Sequence, residues 1–334
     1  MKSLSRYLIT GAAGSVGSAL VDRLVKSDHV VCALDNSEDG MFQLKKKYDP
    51  SNFAHLVRYF LGDVRDMSRL KRAFENVDVV IHCAALKHVE MSELNSIEAI
   101  KTNINGTRNV VDACIEANVH RAVFTSSDKS VNPTSTMGAT KLIGERIFTS
   151  ANNLVGSKDL RFSSTRFGNV LDSNGSVLKI FKEYFKKSQP FPITDIRMTR
   201  FFLTMNDAVD LCLHAVNNTV GGEIFVKSMG TASIKKLAQA IANREEVDYV
   251  TIGAKVGEKL WEELITEVEA LRTIQHNSIY TVIPEISLFT NEDIRGALGR
   301  SYGSGLPINL ALASTTDDLS WQDLRKLFEN NGIL

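Results

Sequence analysis

The sequence has little cysteine, and its four cysteines do not form a recognisable framework. Cys32, Cys83, Cys114 and Cys212 lie far apart within apolar segments of the 334-residue chain. Such spacing is typical of small core residues in a reducing compartment, and it argues against disulfides. No pair of Cys or His residues has the spacing of metal ligands, so the sequence predicts no metal site.

The sequence also lacks net charge and long apolar runs. Its 39 basic residues balance 39 acidic ones, so no basic field favours nucleic acid or a membrane surface as a partner. No window reaches the roughly 18 uninterrupted apolar residues of a membrane helix, and the N-terminus lacks the apolar segment of a secretory signal. These absences predict a cytoplasmic protein without a membrane partner.

What the sequence does contain is an alternation of apolar runs and amphipathic segments. The runs RYLIT, HVVCALD, AHLVRYFLGD, VDVVIHCAA and RAVFTSS are short and almost wholly apolar. Strands of this kind between helices predict an α/β fold with a doubly wound parallel sheet, covered on both faces. We expect helices at Ser15 to Lys26, Ile97 to Ala117, Gly138 to Ala151, Val177 to Lys187, Asn206 to Asn217 and Ser233 to Arg244.

The second half of the chain is less regular, with PFPITD and EIFVKSM as predicted strands. The chain is long for one domain, so we expect a Rossmann domain and a smaller C-terminal substrate lobe. Their expected bounds are 1–168 for the first, with 200–226 returning to it, and 169–199 with 227–334 for the second. The glycine-rich GRSYGSGLP predicts a loop, and Ser320 with Asp323 has the spacing of a capping box, which predicts a final helix.

A glycine motif follows the first predicted strand in YLITGAAGSVGSALVDRLV. Gly11, Gly14 and Gly17 stand between that strand and a predicted helix, whose first residues include Ser15 and Val16. Glycines in this setting permit a tight turn, close approach of the backbone to a pyrophosphate, and close helix packing. The strand, the helix and an acidic residue after the next strand together predict a dinucleotide site.

That acidic residue is Asp35, which ends HVVCALD, 18 residues after Gly17. A carboxylate there accepts hydrogen bonds from ribose hydroxyls and repels a 2′-phosphate, so NAD is favoured over NADP. The alternative is a simple turn aspartate. Asp63 and Val64, after the third strand, are predicted to lie at the adenine edge.

Several longer segments resemble a known family. They are HCAALKHVEMSELNSIEAIKTNINGT, SSDKSVNPTSTMGATKLIGERIF, RFGNVLDSNGSVLKIFKEYF, ITDIRMTRFFLTMNDAVDL and GEKLWEELITEVEALRTI, in order between residues 82 and 274. The sequence is similar to the extended short-chain dehydrogenases/reductases. Within them it resembles the UDP-N-acetylglucosamine 4,6-dehydratases of bacterial surface-polysaccharide and flagellin-sugar synthesis.

The resemblance implies a lyase reaction on a UDP-sugar without net redox change. Hydride leaves C4 for the nicotinamide, the C5 proton becomes acidic, water is eliminated across C5 and C6, and hydride returns to C6. The product is a 4-keto-6-deoxy sugar nucleotide, with inversion at C5 in the most similar relatives. Three proton tasks follow: a base for the C4 hydroxyl, a base at C5, and an acid for the C6 hydroxyl.

The resemblance gives two of these tasks to Asp128 and Lys129, which directly follow RAVFTSS, where ligands of such folds bind. The aspartate is implied to protonate the leaving C6 hydroxyl and the lysine to remove the C5 proton. A lysine is a base only when neutral, so we expect its pKa to be lowered by burial or nearby cations, Lys141 among them. We expect the pKa of the aspartic acid to be raised.

Met137 stands where the general superfamily has a catalytic tyrosine, one helical turn before Lys141. A thioether cannot exchange a proton. Two readings follow: catalysis is lost, or the tyrosine's task has passed to another group. The retained Asp128, Lys129 and Lys141 favour the second, and the C4 base is then Asp128, Lys129 or a bound water.

Other positions are implied by the resemblance alone. The cofactor site is expected to include Ala84, Ala85, Lys87, Asn103 and Lys141, with Asn103 positioning the active-site backbone. The substrate site is expected to include Lys87, His88, Ser127, Met137, Asn169, Arg200 and Glu258. A homo-oligomer built on Rossmann-domain helices is also expected. The rival functions are a nucleotide-sugar 4-epimerase, which needs only C4 redox chemistry, and a catalytically silent NAD-binding protein.

Overall fold

The large sheet of the protein forms as the apolar runs predict. The computed structural model describes residues 5–49, 53–285, 289, 292–302, 308 and 311–334. Its strands are β1 (Arg6–Thr10), β2 (Val30–Asp35), β3 (Val57–Leu61), β4 (Val79–His82), β5 (Arg121–Ser127), β6 (Arg161–Phe167), β7 (Asn169–Val170), β8 (Phe191–Ile193), β9 (Thr199–Leu203), β10 (Ile224–Lys227), β11 (Gly230–Ser233), β12 (Tyr249–Thr251), β13 (Glu263–Ile265), β14 (Thr273–His276), β15 (Ile279–Val282) and β16 (Leu312–Ala313).

The helices include the predicted ones. They are α1 (Ser15–Val25), α2 (Glu38–Tyr48), α3 (Met67–Ala73), α4 (Val89–Leu94), α5 (Ser96–Ile100), α6 (Gly106–Glu116), α7 (Thr136–Ala151), α8 (Val177–Lys186), α9 (Met205–Asn218), α10 (Ile234–Ala242), α11 (Glu267–Ala270), α12 (Glu292–Tyr302) and α13 (Trp321–Asn330). Short 3-10 turns lie at Ala54–Leu56 and Asp128–Ser130. The capping box of Ser320 and Asp323 is confirmed at the start of α13.

Within the described residues, nine strands form one sheet in the order β14-β15-β10-β6-β5-β4-β1-β2-β3. The seven strands from β10 to β3 pair in parallel, which confirms the doubly wound arrangement. The hairpin of β14 and β15 was not predicted, and it adds two antiparallel strands at one edge. Parallel strands align their carboxyl ends, so the loops after β1, β2, β4, β5 and β6 lie along one edge.

Both faces of the sheet are covered, which explains the apolar strands. Leu20 and Leu24 of α1 and Cys212 of α9 pack on one face. Cys114 of α6 and Phe148 of α7 pack on the other. A separate apolar cluster joins α8, α10 and α13 to strand β8 in the second half of the chain. The cysteines are free thiols, and three of them are buried in these cores.

Two predicted elements differ from the structure. The helix expected from Ile97 to Ala117 is interrupted by a π-helical segment, Lys101–Asn105, between α5 and α6. The loop expected for GRSYGSGLP is wrong for residues 299–302, which end α12, where buried Leu298 anchors the helix. The remaining residues of that segment, 303–307, lie outside the described residues.

Candidate active site

A cavity of about 730 Å³ opens along the carboxyl edge of the parallel strands. It extends from the glycine loop after β1 past the loops after β2, β4 and β5 to residues of the second half of the chain. Most of the predicted site residues line it: Gly11, Gly14, Ser15, Val16, Gly17, Asp35, Asp63, Val64, Ala84, Ala85, Lys87, His88, Ser127, Lys129, Met137, Lys141, Asn169, Arg200 and Glu258. Its volume is in the range of cofactor and ligand pockets.

The glycine loop has no room for side chains. Gly11 has φ +69°, and a Cβ there would lie 2.7 Å from the backbone nitrogen of Ala84. A Cβ on Gly17 would lie 2.0 Å from the carbonyl oxygen of Gly11. The loop therefore packs backbone against backbone, and α1 begins at Ser15 with its first amides at the cavity. Such a helix N-terminus binds an anion through its amides and its dipole, which fits a pyrophosphate.

Asp35 fixes the loops on both sides of it at the end of β2. Its Oδ2 accepts a hydrogen bond from the amide of Ala13 at 3.0 Å, and its Oδ1 accepts one from the amide of Ser37 at 2.9 Å. Asp63 pairs with Arg65 at 2.7 Å, and hydrogen bonding from that guanidinium lowers the pKa of the Asp63 carboxyl. The two carboxylates thus stand at the predicted ribose and adenine end of the cavity.

Helix α7 carries Met137 and Lys141 to the cavity wall. Ser135 caps the helix by accepting a hydrogen bond from the amide of Gly138, and Glu93 accepts hydrogen bonds from the amide and hydroxyl of Thr136. Met137 is 3% exposed. It is therefore largely buried, and it lines the cavity one helical turn before Lys141.

Lys141 is buried beside the aromatic ring of Phe124. Its Nζ donates a hydrogen bond to the carbonyl oxygen of Thr125 at 2.8 Å and lies 4.7 Å from the centre of that ring. Burial lowers the pKa of Lys141 to about 8, although Cys83 and Glu145 act in the opposite direction. This ammonium is therefore less strongly protonated than an ordinary lysine.

The turn after β5 brings Ser127, Asp128 and Lys129 together. Asp128 Oδ1 accepts a hydrogen bond from the Ser127 hydroxyl at 2.7 Å and one from Lys129 Nζ at 3.0 Å. The Asp128 side chain is fully buried and does not line the cavity, whereas its two partners do. Its Oδ2 is buried and has no hydrogen-bond partner among the described residues. Any proton that Asp128 exchanges with a ligand would pass through these two neighbours.

The pKa expected for Lys129 is contradicted. Burial lowers it, but the carboxylates of Asp128 and Glu262 attract the ammonium and leave the pKa raised. The cation that lowers the pKa of Lys129 is Arg200 and not Lys141, and its effect is smaller than that of either carboxylate. These two carboxylates therefore favour the ammonium form of Lys129.

Of the other predicted residues, one is buried behind the cavity wall and others are exposed at it. Asn103, in the π-helical segment, lies behind the cavity wall. Its side chain bonds both backbone polar groups of Leu86 and the hydroxyl of Thr140, so it positions backbone as the resemblance implied. Lys87 and His88 are exposed at the wall, and Lys87 Nζ donates to the carbonyl oxygen of Asn174.

Asn169 and Arg200 lie close to Lys129 in the turn after β5. Asn169 Oδ1 is 3.5 Å from Lys129 Nζ. Arg200 is 6% exposed and donates to the carbonyl oxygens of Lys259 and Leu260, so it organises that backbone. Their contacts with a substrate remain a prediction. Glu258 is exposed at the cavity mouth and its side chain caps the amide of Lys255.

A buried ionic network behind the turn was missed by sequence reasoning. Arg166 of β6 is 1% exposed and donates hydrogen bonds to Glu145 of α7, Glu269 of α11 and the carbonyl oxygen of Leu264, all at 2.8 to 2.9 Å. Glu145 also contacts the hydroxyl of Ser130 at 2.8 Å. This network connects the turn at Asp128–Ser130 to the C-terminal part of the chain. Its only signal in the sequence is charged residues within otherwise apolar segments.

The described residues contain neither a candidate metal site nor a candidate membrane helix. Within them, no group of three or more His, Cys, Asp or Glu side chains is arranged to hold a metal ion. Among the same residues, no helix combines the length and the apolar character needed to span a bilayer.

The sheet order, the glycine loop and the helix carrying Lys141 define an extended short-chain dehydrogenase/reductase. The chain belongs to the family described as polysaccharide biosynthesis proteins, whose model matches residues 7–284. It is 40% identical over 288 residues to a Campylobacter jejuni protein named UDP-N-acetylglucosamine 4,6-dehydratase (inverting), covering 85% of this chain and 84% of the relative.

Two further similarities bear on the function. The chain is 33% identical over 283 residues to a UDP-glucose 4-epimerase of Rickettsia felis, covering 82% of each. The X-ray structure of Pen from Bacillus thuringiensis matches with a TM-score of 0.88 and 34% identity, over 98% of both chains. The structural match therefore spans almost the whole chain.

Proposed function

We propose that the protein is an NAD-dependent UDP-N-acetylglucosamine 4,6-dehydratase that inverts C5 and serves surface polysaccharide synthesis. The observation that carries the proposal is the cluster of Ser127, Asp128 and Lys129 at the cavity, which Lys141 also lines. An epimerase has no use for an acid and an amine beside C5 and C6, since it only oxidises and reduces C4. The name of the Campylobacter jejuni relative supports the same reaction.

The glycine loop and Asp35 support NAD as the cofactor. The amides at the start of α1 would hold the pyrophosphate, and the Asp35 carboxylate would accept from the adenosine ribose and repel a 2′-phosphate. When bound, NAD would supply the hydride acceptor and donor that oxidation at C4 and reduction at C6 require. Lys141 would hold the nicotinamide ribose from α7.

Lys129 is the residue proposed to take the C5 proton. It is half-buried at the cavity wall, with the carboxylates of Asp128 and Glu262 at 3.0 and 3.7 Å from its amine. Asp128 lies behind it, so a proton for the leaving C6 hydroxyl would reach the sugar through the Ser127 hydroxyl or the Lys129 amine. Met137 exchanges no proton, and the C4 base is proposed among Asp128, Lys129 and a bound water.

Residues 169–199 and 227–334 are proposed to form the lobe that binds the UDP-sugar. The apolar cluster of α8, α10 and α13 gives this region a core apart from the large sheet. We also propose a homo-oligomer, because Met91, Leu94 and Ile97 of α4 and α5 are each more than half exposed. Light scattering of the wild type and of a Leu94→Lys variant tests this, since loss of the oligomer is expected only in the variant.

The reaction is tested by incubating the protein with UDP-N-acetylglucosamine and NAD and weighing the sugar nucleotide. Loss of one water is expected. A new isomer of unchanged mass would support the 4-epimerase, the function named for the Rickettsia felis relative. Untouched substrate together with tight NAD binding would support a catalytically silent protein.

A further inference from the structure

A second carboxylate, that of Glu262, lies beside Lys129 in addition to that of Asp128. Glu262 Oε1 is 3.7 Å from Lys129 Nζ, compared with 3.0 Å for Asp128 Oδ1. Glu262 is 2% exposed, and it lines the cavity, whereas Asp128 does not. It immediately precedes β13, so a segment far along the chain completes the cluster around the catalytic turn.

The backbone around Glu262 is fixed in a way that leaves its carboxylate available. Its amide donates to the Ser314 hydroxyl at 2.9 Å, and its carbonyl oxygen accepts from the Ser314 amide at 2.8 Å. Its Oε2 is buried without a hydrogen-bond partner among the described residues. A buried carboxylate without full hydrogen bonding is costly, so its retention beside an amine at the cavity indicates a role there.

Charged groups from three parts of the chain face Glu262. Lys129 and Asp128 face it from the turn after β5, Arg200 from β9, and Lys259 from its own segment. Lys259 Nζ is 3.8 Å from Glu262 Oε2 but donates its hydrogen bond to the carbonyl oxygen of Val131 at 2.7 Å. Arg200 is committed to backbone carbonyls. Lys129 is therefore the cation in this group whose hydrogen bond goes to a carboxylate and not to a backbone carbonyl.

We propose that Glu262 is a positioning residue for Lys129: it holds the amine at the cavity wall between two carboxylates and controls when that amine is charged. This proposal rests on the dehydratase function proposed above. The negative charge of Glu262 favours the ammonium form of Lys129. A substrate that separates or neutralises this pair would release the amine as a base.

The direction of the electrostatic effect is fixed by the geometry. Burial raises the pKa of Glu262 and Asp128 adds to that, while Lys129, Arg200 and Lys259 oppose it. The same proximity raises the pKa of Lys129. Removing the charge of Glu262 should therefore lower the pKa of Lys129, by about one pH unit or more for a part-buried pair at this distance.

The test compares Glu262→Gln and Glu262→Asp with the wild type, with Glu263→Gln as the matched control. Glu263 is the next residue and bonds Asn132 instead of Lys129. The pKa of the Lys129 amine is measured by competitive acetylation with acetic anhydride across pH, followed by mass spectrometry of the peptide that contains it. The second readout is the pH profile of kcat/KM for water loss from UDP-N-acetylglucosamine.

In Glu262→Gln the acetylation pKa of Lys129 and the acidic limb of the pH profile, on which activity rises as Lys129 loses its proton, should both move to lower pH by about one unit. Glu262→Asp keeps the charge and should stay closer to the wild type, and Glu263→Gln should match it. Unchanged acetylation pKa in a folded Glu262→Gln protein would overturn the proposal, as would equal shifts in the Gln and Asp variants. Acetylation needs no turnover, so a wild type that releases no water refutes the dehydratase function and leaves the Glu262–Lys129 test intact.

Discussion

The buried network of Arg166, Glu145 and Glu269 supports the clearest prediction about stability. All five guanidinium donors of Arg166 are used, four of them on the two carboxylates. Burial alone would raise the pKa of Glu269, but Arg166 lowers it to about 2. Compared with an ordinary glutamate, that difference corresponds to about 3 kcal/mol at neutral pH.

Replacing Arg166 with Met should therefore destabilise the protein by about 3 to 5 kcal/mol at pH 7, since two buried carboxylates lose their cation. The pH dependence should also change sign. In the wild type the folded pKa of Glu269 is depressed, so its contribution is present at neutral pH and is lost as pH falls from about 5 toward 2. In Arg166→Met the carboxylates have raised pKa values, so acidification toward pH 5 protonates them and reduces the deficit.

Urea unfolding of both proteins at pH 7 and pH 5 measures these differences in the free energy of unfolding. Arg23→Met is the control, because Arg23 pairs with Asp210 on the surface, where an ion pair contributes at most about 1 kcal/mol. An Arg166→Met protein as stable as the wild type at pH 7 would refute the reasoning. A deficit that grew on acidification would do the same.

Three further predictions concern the site. Lys129→Ala should abolish water loss from UDP-N-acetylglucosamine, whereas Met137→Ala should keep a measurable rate, both followed by mass spectrometry; a folded but inactive Met137→Ala protein would contradict the account of that position. Gly17→Ala places a Cβ 2.0 Å from a backbone oxygen and should abolish the thermal shift caused by NAD, whereas Gly299→Ala, at an exposed position of α12 where a Cβ meets no neighbour, should preserve it; an intact shift in Gly17→Ala would count against the loop assignment. Asp35→Ala should improve binding of NADP relative to NAD, measured by calorimetry, and an unchanged ratio would mean that the carboxylate does not discriminate.

Local sequence patterns were enough to predict the cofactor end of the cavity. The spacing of Gly11 and Gly17 encodes a turn in which no Cβ fits, and Asp35 follows its strand directly. The position of Asp128 and Lys129 at the end of β5 was predictable for the same reason, since a strand ends where its apolar run ends.

The charge state of Lys129 was not predictable, because it depends on Glu262, a residue brought to the turn by tertiary folding. The expected fall in its pKa considered burial and cations, but the carboxylates of Asp128 and Glu262 together outweigh burial and Arg200. Arg166 was missed for a related reason. Its partners come from α7 and α11, and no local periodicity connects those segments. The antiparallel hairpin β14–β15 likewise follows from pairing with β10, outside the range of local patterns.

The central claim is that this chain moves a hydride from C4 to C6 of a UDP-sugar while eliminating water, without a tyrosine at position 137. The most direct test uses UDP-N-acetylglucosamine carrying deuterium at C4, with NAD and the wild-type protein, and locates the label in the product by NMR. The account predicts a C6 methyl group that contains the deuterium. A product with the deuterium still at C4, or with no label at C6, would contradict it.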